Sequence, residues 1–530
     1  MQFKLNKVSA LVIALAIFCV ILTFIVVPFQ GGSILPQSLV SQATSTSTVE
    51  TLPIISLSGQ TTSILIATVM LGHVMLANLG LGGSWVLAIA ELSYARSHRD
   101  KYGRLSRSLA QFNVVLFSTG ATFAVGGLAI MTSLFPGFIS IIFHLYFWPL
   151  FIEIISFVLE IFFLYVYYLN YDRISQRMKL ILVFGYAITV FWQTFLINMV
   201  ASAMLTPGAD TISLSYTTPN ELAWWFNPTM WILTFHRTAA AISYFGFVVG
   251  LLAMLQYKDK KTADQKAHWD WVGAYSIAWG LGGLIVQPVL GMIYAQLIQN
   301  VQPDMFSNMM HGSDGWEMLL MVGLLSALFL CIIVYFVERR DVLLSLPENA
   351  FLKKMFQIFL IVAAICAVIL VQPAWFGPFG QSSNSYDSDV ILNPLGIMSF
   401  KYIALFGLML IGIIVLIVNY RMLKEHKDEE YGEIPPLARA AAIICGILGI
   451  WLVADMGFYR ESARSPWLIS GIIPIPAMSS TAPVTVPAEF AVFAALTIFT
   501  VLLFRLVARR TYSSSAYYAE EPVPAREIQE

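Results

Sequence analysis

Charge is what this chain has least of. Acidic and basic residues make up 12% of its 530 residues and hydrophobic residues 58%, whereas ordinary soluble domains carry about 25% charged residues. Cysteine is scarce as well. Cys19, Cys331, Cys366 and Cys445 all lie in apolar runs and form neither CxxC nor CxxCH, so there is no basis for a zinc ribbon or for covalent c-type haem. A net charge of −1 says nothing about nucleic acid, and no basic stripe suggests it as a partner. Positive charge is absent from every second loop: 29–61, 135–140, 206–231, 300–314 and 374–394 contain no Lys or Arg.

What is there is a series of apolar runs about twenty residues long, the length a helix needs to cross ~30 Å of hydrocarbon. The fold class is therefore all-α, a polytopic transmembrane bundle. Helices are expected at about 8–28, 62–91, 109–134, 141–170, 178–205, 232–257, 269–299, 315–337, 352–373, 395–420, 438–459 and 487–508, twelve in all. The first has an apolar core, Val8 to Val27, longer than a signal-peptide h-region and so reads as a retained anchor. A Ser/Thr-rich linker (SQATSTSTVETL) follows it. Loops 92–108, 171–179, 258–266, 338–354 and 421–439 and the tail from Arg505 are basic. The positive-inside rule then places both termini in the cytoplasm of a prokaryotic plasma membrane.

Lys4 and Lys7 precede the first helix on the same side, and of the thirty Lys and Arg residues only Arg237, Lys401, Arg460 and Arg464 fall elsewhere. With that orientation they lie toward the outer leaflet, near His73, Glu153, His236 and Asp455; Glu160 lies deeper. Ionisable residues within membrane spans are costly and mark functional sites. A neutral imidazole on such a helix suits haem iron, and misplaced cations at the same depth suit haem propionates. Glu153 and Glu160, nearly two turns apart, share a helix face and suit a proton path. Plainer roles compete: a lone membrane His can bond a backbone carbonyl, and Arg460 and Arg464 can be loop charges. His98, His268 and His426 fall in basic inner loops and are expected to be solvated; His144 stands at a helix entry.

Together these residues resemble subunit I of the cytochrome bd oxidases. The family's first core helix carries a haem-ligating His and a downstream acid, here His73 in GHVMLANLGLGGSWVLAIAEL. Its Pro-Leu-x-x-Glu run with a second Glu is matched by PLFIEIISFVLEIFF, which holds Glu153 and Glu160. A second ligating His opens TFHRTAAAISYFGFVVGLLAML, giving His236, and ADMGFYRESARSPW resembles the family's acid, Gly-aromatic and Arg-x-Pro-Trp signature, with Asp455 where a Glu haem ligand is usual. The resemblance implies a nine-helix core, with one N-terminal and two inserted helices added here. It divides the chain into an anchor and linker (1–61), core (62–299), insertion (300–394), core (395–510) and cytoplasmic tail (511–530). His73, His236 and Asp455 would be metal ligands, Arg237, Lys401, Arg460 and Arg464 propionate partners, and Glu153 and Glu160 a proton relay. The implied cofactor is haem b, with haem d or a second and third haem b as alternatives. The implied reaction reduces O2 to water with protons from the cytoplasm, beside a second membrane subunit and with quinol or another electron donor.

The chain departs from that pattern in two places. In QPDMFSNMMHG, Gln302 and Pro303 match the family's quinol loop, but Met305 replaces its Lys, and Met309–Met310 stand where a Glu is usual. Two membrane helices occupy the place of the hydrophilic loop. In PLGIMSFKYIALFGLM, Lys401 and Ile403 hold the positions of the family's Arg and haem-binding Met. Met398 is five residues from Ile403 and on another face; Met318 and Met321, on an inserted helix, are the candidate second ligands of the His236 haem, the alternative being none. Two rivals follow: a bd-like electron-transfer subunit that uses a non-quinol donor or does not reduce O2, and a haem-free proton-coupled transporter. Transporters often show internal repeats, and the two halves of this chain show none.

Overall fold

The computed structural model describes residues 57–209, 221–260, 262–311, 315–339, 347–371, 397–425, 434–474 and 484–511. The anchor expected at 8–28, the linker through residue 56, the loop 374–394, His426 and the tail beyond Thr511 lie outside them.

Eleven helices are long and apolar enough to cross a membrane, which accounts for every crossing expected after residue 61. They are α1 (Gly59–Ser97), α2 (Asp100–Leu134), α4 (Phe147–Leu169), α5 (Gln176–Leu205), α7 (Met230–Asp259), α8 (Ala263–Val301), α10 (Gly315–Glu338), α11 (Ala350–Val371), α12 (Ile397–Glu425), α13 (Pro436–Arg464) and α14 (Val486–Thr511). Three short helices lie between them: α3 (Pro136–Leu145), α6 (Glu221–Trp225) and α9 (Pro303–His311). A two-stranded antiparallel ribbon, β1 (Trp467–Ile469) and β2 (Ile473–Pro474), follows α13. The chain is a multi-pass helical membrane protein.

Three boundaries differ from expectation, for local reasons. Most of the basic stretch 92–108 is helical, because Arg, Lys and Leu are good helix formers. The chain turns only at His98, whose left-handed backbone (φ 50) closes α1 through its N–H to the Tyr94 carbonyl. The single helix expected over 141–170 is split at Tyr146. Pro149 has no amide hydrogen for the Leu145 carbonyl, and the Trp225 indole donates to that carbonyl instead, at 2.8 Å. The stretch 300–314 contains α9, with Pro303 at its first position, where the missing amide costs nothing.

Helix α7 is central and packs on α8, α13, α1 and α5. Small residues allow these close approaches, as helix packing in lipid requires. A Cβ on Gly82 of α1 would stand 2.1 Å from the Ala241 carbonyl oxygen of α7. One on Gly246 of α7 would stand 2.4 Å from the Ser276 carbonyl oxygen of α8. The inserted helices α10 and α11 pack together and on α12, and α10 also lies along α13. At the end bearing the basic loops, Arg339 grips Asp270 through two bonds of 2.5 and 2.6 Å, tying α10 to α8. Helix α4 shows the lipid-facing pattern: Phe151, Ile154, Val158 and Phe162 are exposed, whereas Ile152, Ser156, Glu160 and Phe163 are buried.

The Gly82 contact predicts a measurable cost. Gly82→Ala should destabilise the bundle by about 1–3 kcal/mol, since backbone on α7 must move. Gly80→Ala, with open space around it, should be neutral or slightly stabilising because Ala is the better helix former. Thermal unfolding in detergent compares the two, and equal midpoints would refute the close packing of α1 on α7.

Candidate functional site

Arg237 sits where α1, α5 and α7 meet. Its Nε donates to Asn78 Oδ1 on α1 and its Nη1 to Asn198 Oδ1 on α5, both at 3.0 Å. Asn198, fully buried, also donates to Thr234 Oγ1 at 3.1 Å. Neutral amides thus fix the guanidinium without cancelling its charge. Its electrostatic neighbours are Glu153 on α4 and a second cation, Arg460 on α13. Arg460 in turn neighbours Arg464.

Three of the four misplaced cations expected at this end are therefore together. Arg460 and Arg464 belong to the last turns of α13 rather than to a loop. Arg464 is buried, donates from Nη1 to the Leu468 carbonyl at 2.6 Å, and pairs with Glu461. Much of its guanidinium is spent on holding the β1 segment. The buried Nε atoms of both Arg460 and Arg464 have no hydrogen-bond partner among the described residues. Lys401 is half-buried on α12, a helix that packs mainly on α10 and α11.

His73 on α1 is half-buried, and its Nδ1 lies 3.1 Å from the Gly120 carbonyl oxygen of α2. A carbonyl only accepts, so Nδ1 carries the proton and Nε2 keeps its lone pair. This arrangement orients a ligating imidazole and raises its basicity. Arg237 is an electrostatic neighbour of His73. His236, next to Arg237 in sequence, faces α8: its Nε2 would lie 3.4 Å from a Cβ on Gly291. Gln287 on α8 donates to the His236 carbonyl at 2.6 Å.

Asp455 on α13 is fully buried, and among the described residues neither carboxylate oxygen has a hydrogen-bond partner. Its electrostatic neighbours are two further acids, Glu317 of α10 and Glu489 of α14, rather than the arginines. Glu160 is buried and accepts from Gln193 Nε2 of α5 at 2.9 Å; Glu153, two turns away on the same helix, is half-buried. Ile403, at the position of the family's methionine, is 68% exposed and faces away from the bundle. Met305 is buried with Phe306, Leu205 and Ile298, and Met309 and Tyr294 pack on that cluster; Met318 and Met321 are half-buried elsewhere on α10.

Three residues escaped sequence reasoning, and a fourth, Glu91, was marked only as the acid downstream of His73. Asn78 and Asn198 are amides whose importance shows only once Arg237 is between them. Glu91, at the basic-loop end of α1, is fully buried and accepts from Tyr167 Oη and Gln176 Nε2, each at 2.6 Å. His268 is a correction: expected in a solvated loop, it is buried within α8, with Trp269 and Trp271 around it. The helix begins at Ala263, earlier than its apolar run suggests.

Imidazoles, clustered guanidinium groups and a buried carboxylate at one end of the bundle mark the candidate site of a multi-pass helical membrane protein. Comparison with known proteins narrows that class. Residues 63–312 match the family Cytochrome bd terminal oxidase subunit I. The "Putative cytochrome bd menaquinol oxidase subunit I" of Bacillus subtilis (strain 168) is 27% identical over 246 residues, 45% of this chain and 55% of that protein. The chain thus matches about half the length of this curated relative. The bd oxidase from Geobacillus thermodenitrificans has the same fold, with a TM-score of 0.50 and 16% identity over 86% of this chain and 100% of that one. The resemblance to cytochrome bd oxidase subunit I, carried in sequence by His73, Glu153, Glu160 and His236, is borne out.

Proposed function

We propose that this chain is the haem-bearing subunit of a bd-type terminal oxidase, reducing O2 to water with protons taken from the cytoplasm. One observation carries the reading. Arg237, Arg460 and Arg464 are gathered with Glu153 and Glu461 as their acidic neighbours, and Glu461 is 67% exposed. Charge left over in hydrocarbon calls for a bound anion, and two buried Nε donors are unused. An unpaired buried donor costs about 1–3 kcal/mol. Haem propionates beside two histidines meet both needs.

The residues present fit haem. His73 offers a free Nε2 with its tautomer fixed by Gly120. Gly291 leaves room beside His236 that a side chain would fill. Asp455 has two unpartnered oxygens and is the candidate third ligand. Haem b, with haem d or further haems b as alternatives, would supply the iron at which electrons meet O2. Arg237, Arg460 and Arg464 would hold propionates, with Lys401 a more distant candidate. Glu160, kept in place by Gln193, and Glu153, beside Arg237, would pass protons toward the His73 end. A second membrane subunit is the expected partner.

A second reading keeps the haems and changes the electron donor. Met305, where the family's quinol loop has a Lys, is buried in an apolar cluster, and α9, α10 and α11 stand where that loop would be. A donor other than quinol suits this face, although the Bacillus subtilis relative is named for menaquinol.

A dithionite-reduced minus oxidised spectrum with pyridine haemochrome analysis tests both readings. Haem with a CO-sensitive component is the expected result, and quinol-driven reduction of it then separates the two donors. Protein purified with its partner and lacking haem would overturn both, leaving proton-coupled transport through the same His, Glu and Asp residues.

A further inference from the structure

One buried polar group that the proposed function does not use, Tyr294, lies beside a proposed ligand. Gln287, Gly291 and Tyr294 are spaced i, i+4 and i+7 on α8, so they form one stripe, and that stripe faces His236. Gln287 fixes the register by donating to the His236 carbonyl at 2.6 Å. Gly291 brings the α8 backbone against the imidazole, where an added Cβ would lie 3.4 Å from Nε2. Tyr294 follows, its ring centroid 6.1 Å from that of His236 and tilted by 39°.

The Tyr294 hydroxyl is buried and has no hydrogen-bond partner among the described residues. Arg460, on α13, is its electrostatic neighbour, and the Arg460 Nε is also buried and unpartnered. Two buried donors on different helices, electrostatic neighbours of each other, are thus unbonded among the described residues, and the Tyr294 ring lies beside His236. Both would be satisfied by an acceptor lying between them, and a negatively charged acceptor would also offset the Arg460 charge. Arg460 neighbours Arg237, the residue after His236, so the slot and the imidazole belong to one site.

We propose that Tyr294 donates a hydrogen bond to a carboxylate of the group bound through His236, sharing that carboxylate with Arg460. Tyr294 is thus a positioning residue: it fixes the group's rotation about the His236 bond and tunes its charge. The inference rests on the haem reading given above. With haem bound, the carboxylate is a propionate. A phenol donor on it offsets negative charge near the iron and so favours the reduced state.

The test is a spectroelectrochemical titration of the purified protein with its partner, comparing wild type, Tyr294→Phe and Arg460→Gln. His236→Ala identifies which haem component belongs to His236. In Tyr294→Phe that component should remain, with its reduction equilibrium shifted toward the oxidised form by up to about tenfold, which is about 59 mV for a one-electron couple. Arg460→Gln should move it in the same direction, and this second variant carries the test if Tyr294→Phe does not accumulate. Components that survive in His236→Ala should keep their potentials in both variants. Haem present with the His236 component unmoved would overturn the inference and leave the haem reading standing. Absence of haem from the wild type would overturn both.

Discussion

Replacing His73 by alanine is expected to abolish the CO-reactive haem component and oxygen consumption with it, while the protein still inserts and folds. The imidazole makes a hydrogen bond to Gly120 through Nδ1 and is otherwise half-buried between α1 and α2. If that bond were its whole role, the mutation would cost about 1 kcal/mol of stability and leave the spectrum untouched. As a ligand, it contributes the bond that holds iron, and nothing beside it on α1 replaces Nε2. The two outcomes are far apart. Difference spectra with and without CO, normalised to protein, decide between them, and His236→Ala should remove a different component. A wild-type spectrum in His73→Ala would strike His73 from the ligand set.

Glu160→Gln is expected to slow turnover by about 10²-fold with haem content unchanged, the low end of what a positioned proton carrier contributes. The substitution is nearly isosteric, and the new amide oxygen can still accept from Gln193, which now donates to the carboxylate at 2.9 Å. Packing around this buried position is therefore kept and only the ability to carry a proton is lost. Oxygen consumption with a saturating electron donor reads the effect, and the reduced spectrum controls for assembly. Glu153→Gln should differ in kind, because Glu153 neighbours Arg237. Exchanging its carboxyl for an amide changes the group beside the arginines, so haem potentials should move as well as rate. Unchanged turnover in Glu160→Gln would remove the buried carboxylate from the proton path.

Much of the fold was legible because the bilayer imposes it. An apolar run about twenty residues long reads as a helix, which alone satisfies its backbone in lipid within one segment, and all eleven crossings expected after residue 61 are there. What patterning missed were the interfacial ends, where polar residues continue a helix into water, as α1 and α2 do around His98. The break at Tyr146 was hidden for another reason. It needs Pro149 to free a carbonyl and Trp225, some eighty residues away, to take it.

The sequence by itself determined the class of protein, the existence of its crossings, and the short roll of misplaced polar residues, because a charge in hydrocarbon stands out without any knowledge of its neighbours. Only the tertiary structure decided how those residues divide. Arg237, Arg460 and Arg464 group together, while Asp455 stands apart among Glu317 and Glu489. Lys401 lies on α12, a helix that packs mainly on the inserted pair. Neutral partners were likewise invisible: Asn78, Asn198, Gln193 and Tyr294 carry no charge to betray them, and their roles arise from which side chain they meet. Hydropathy is a property of each residue and its run, so one chain suffices to read it. Pairing is a property of distance across helices, and distance exists only once the bundle is packed.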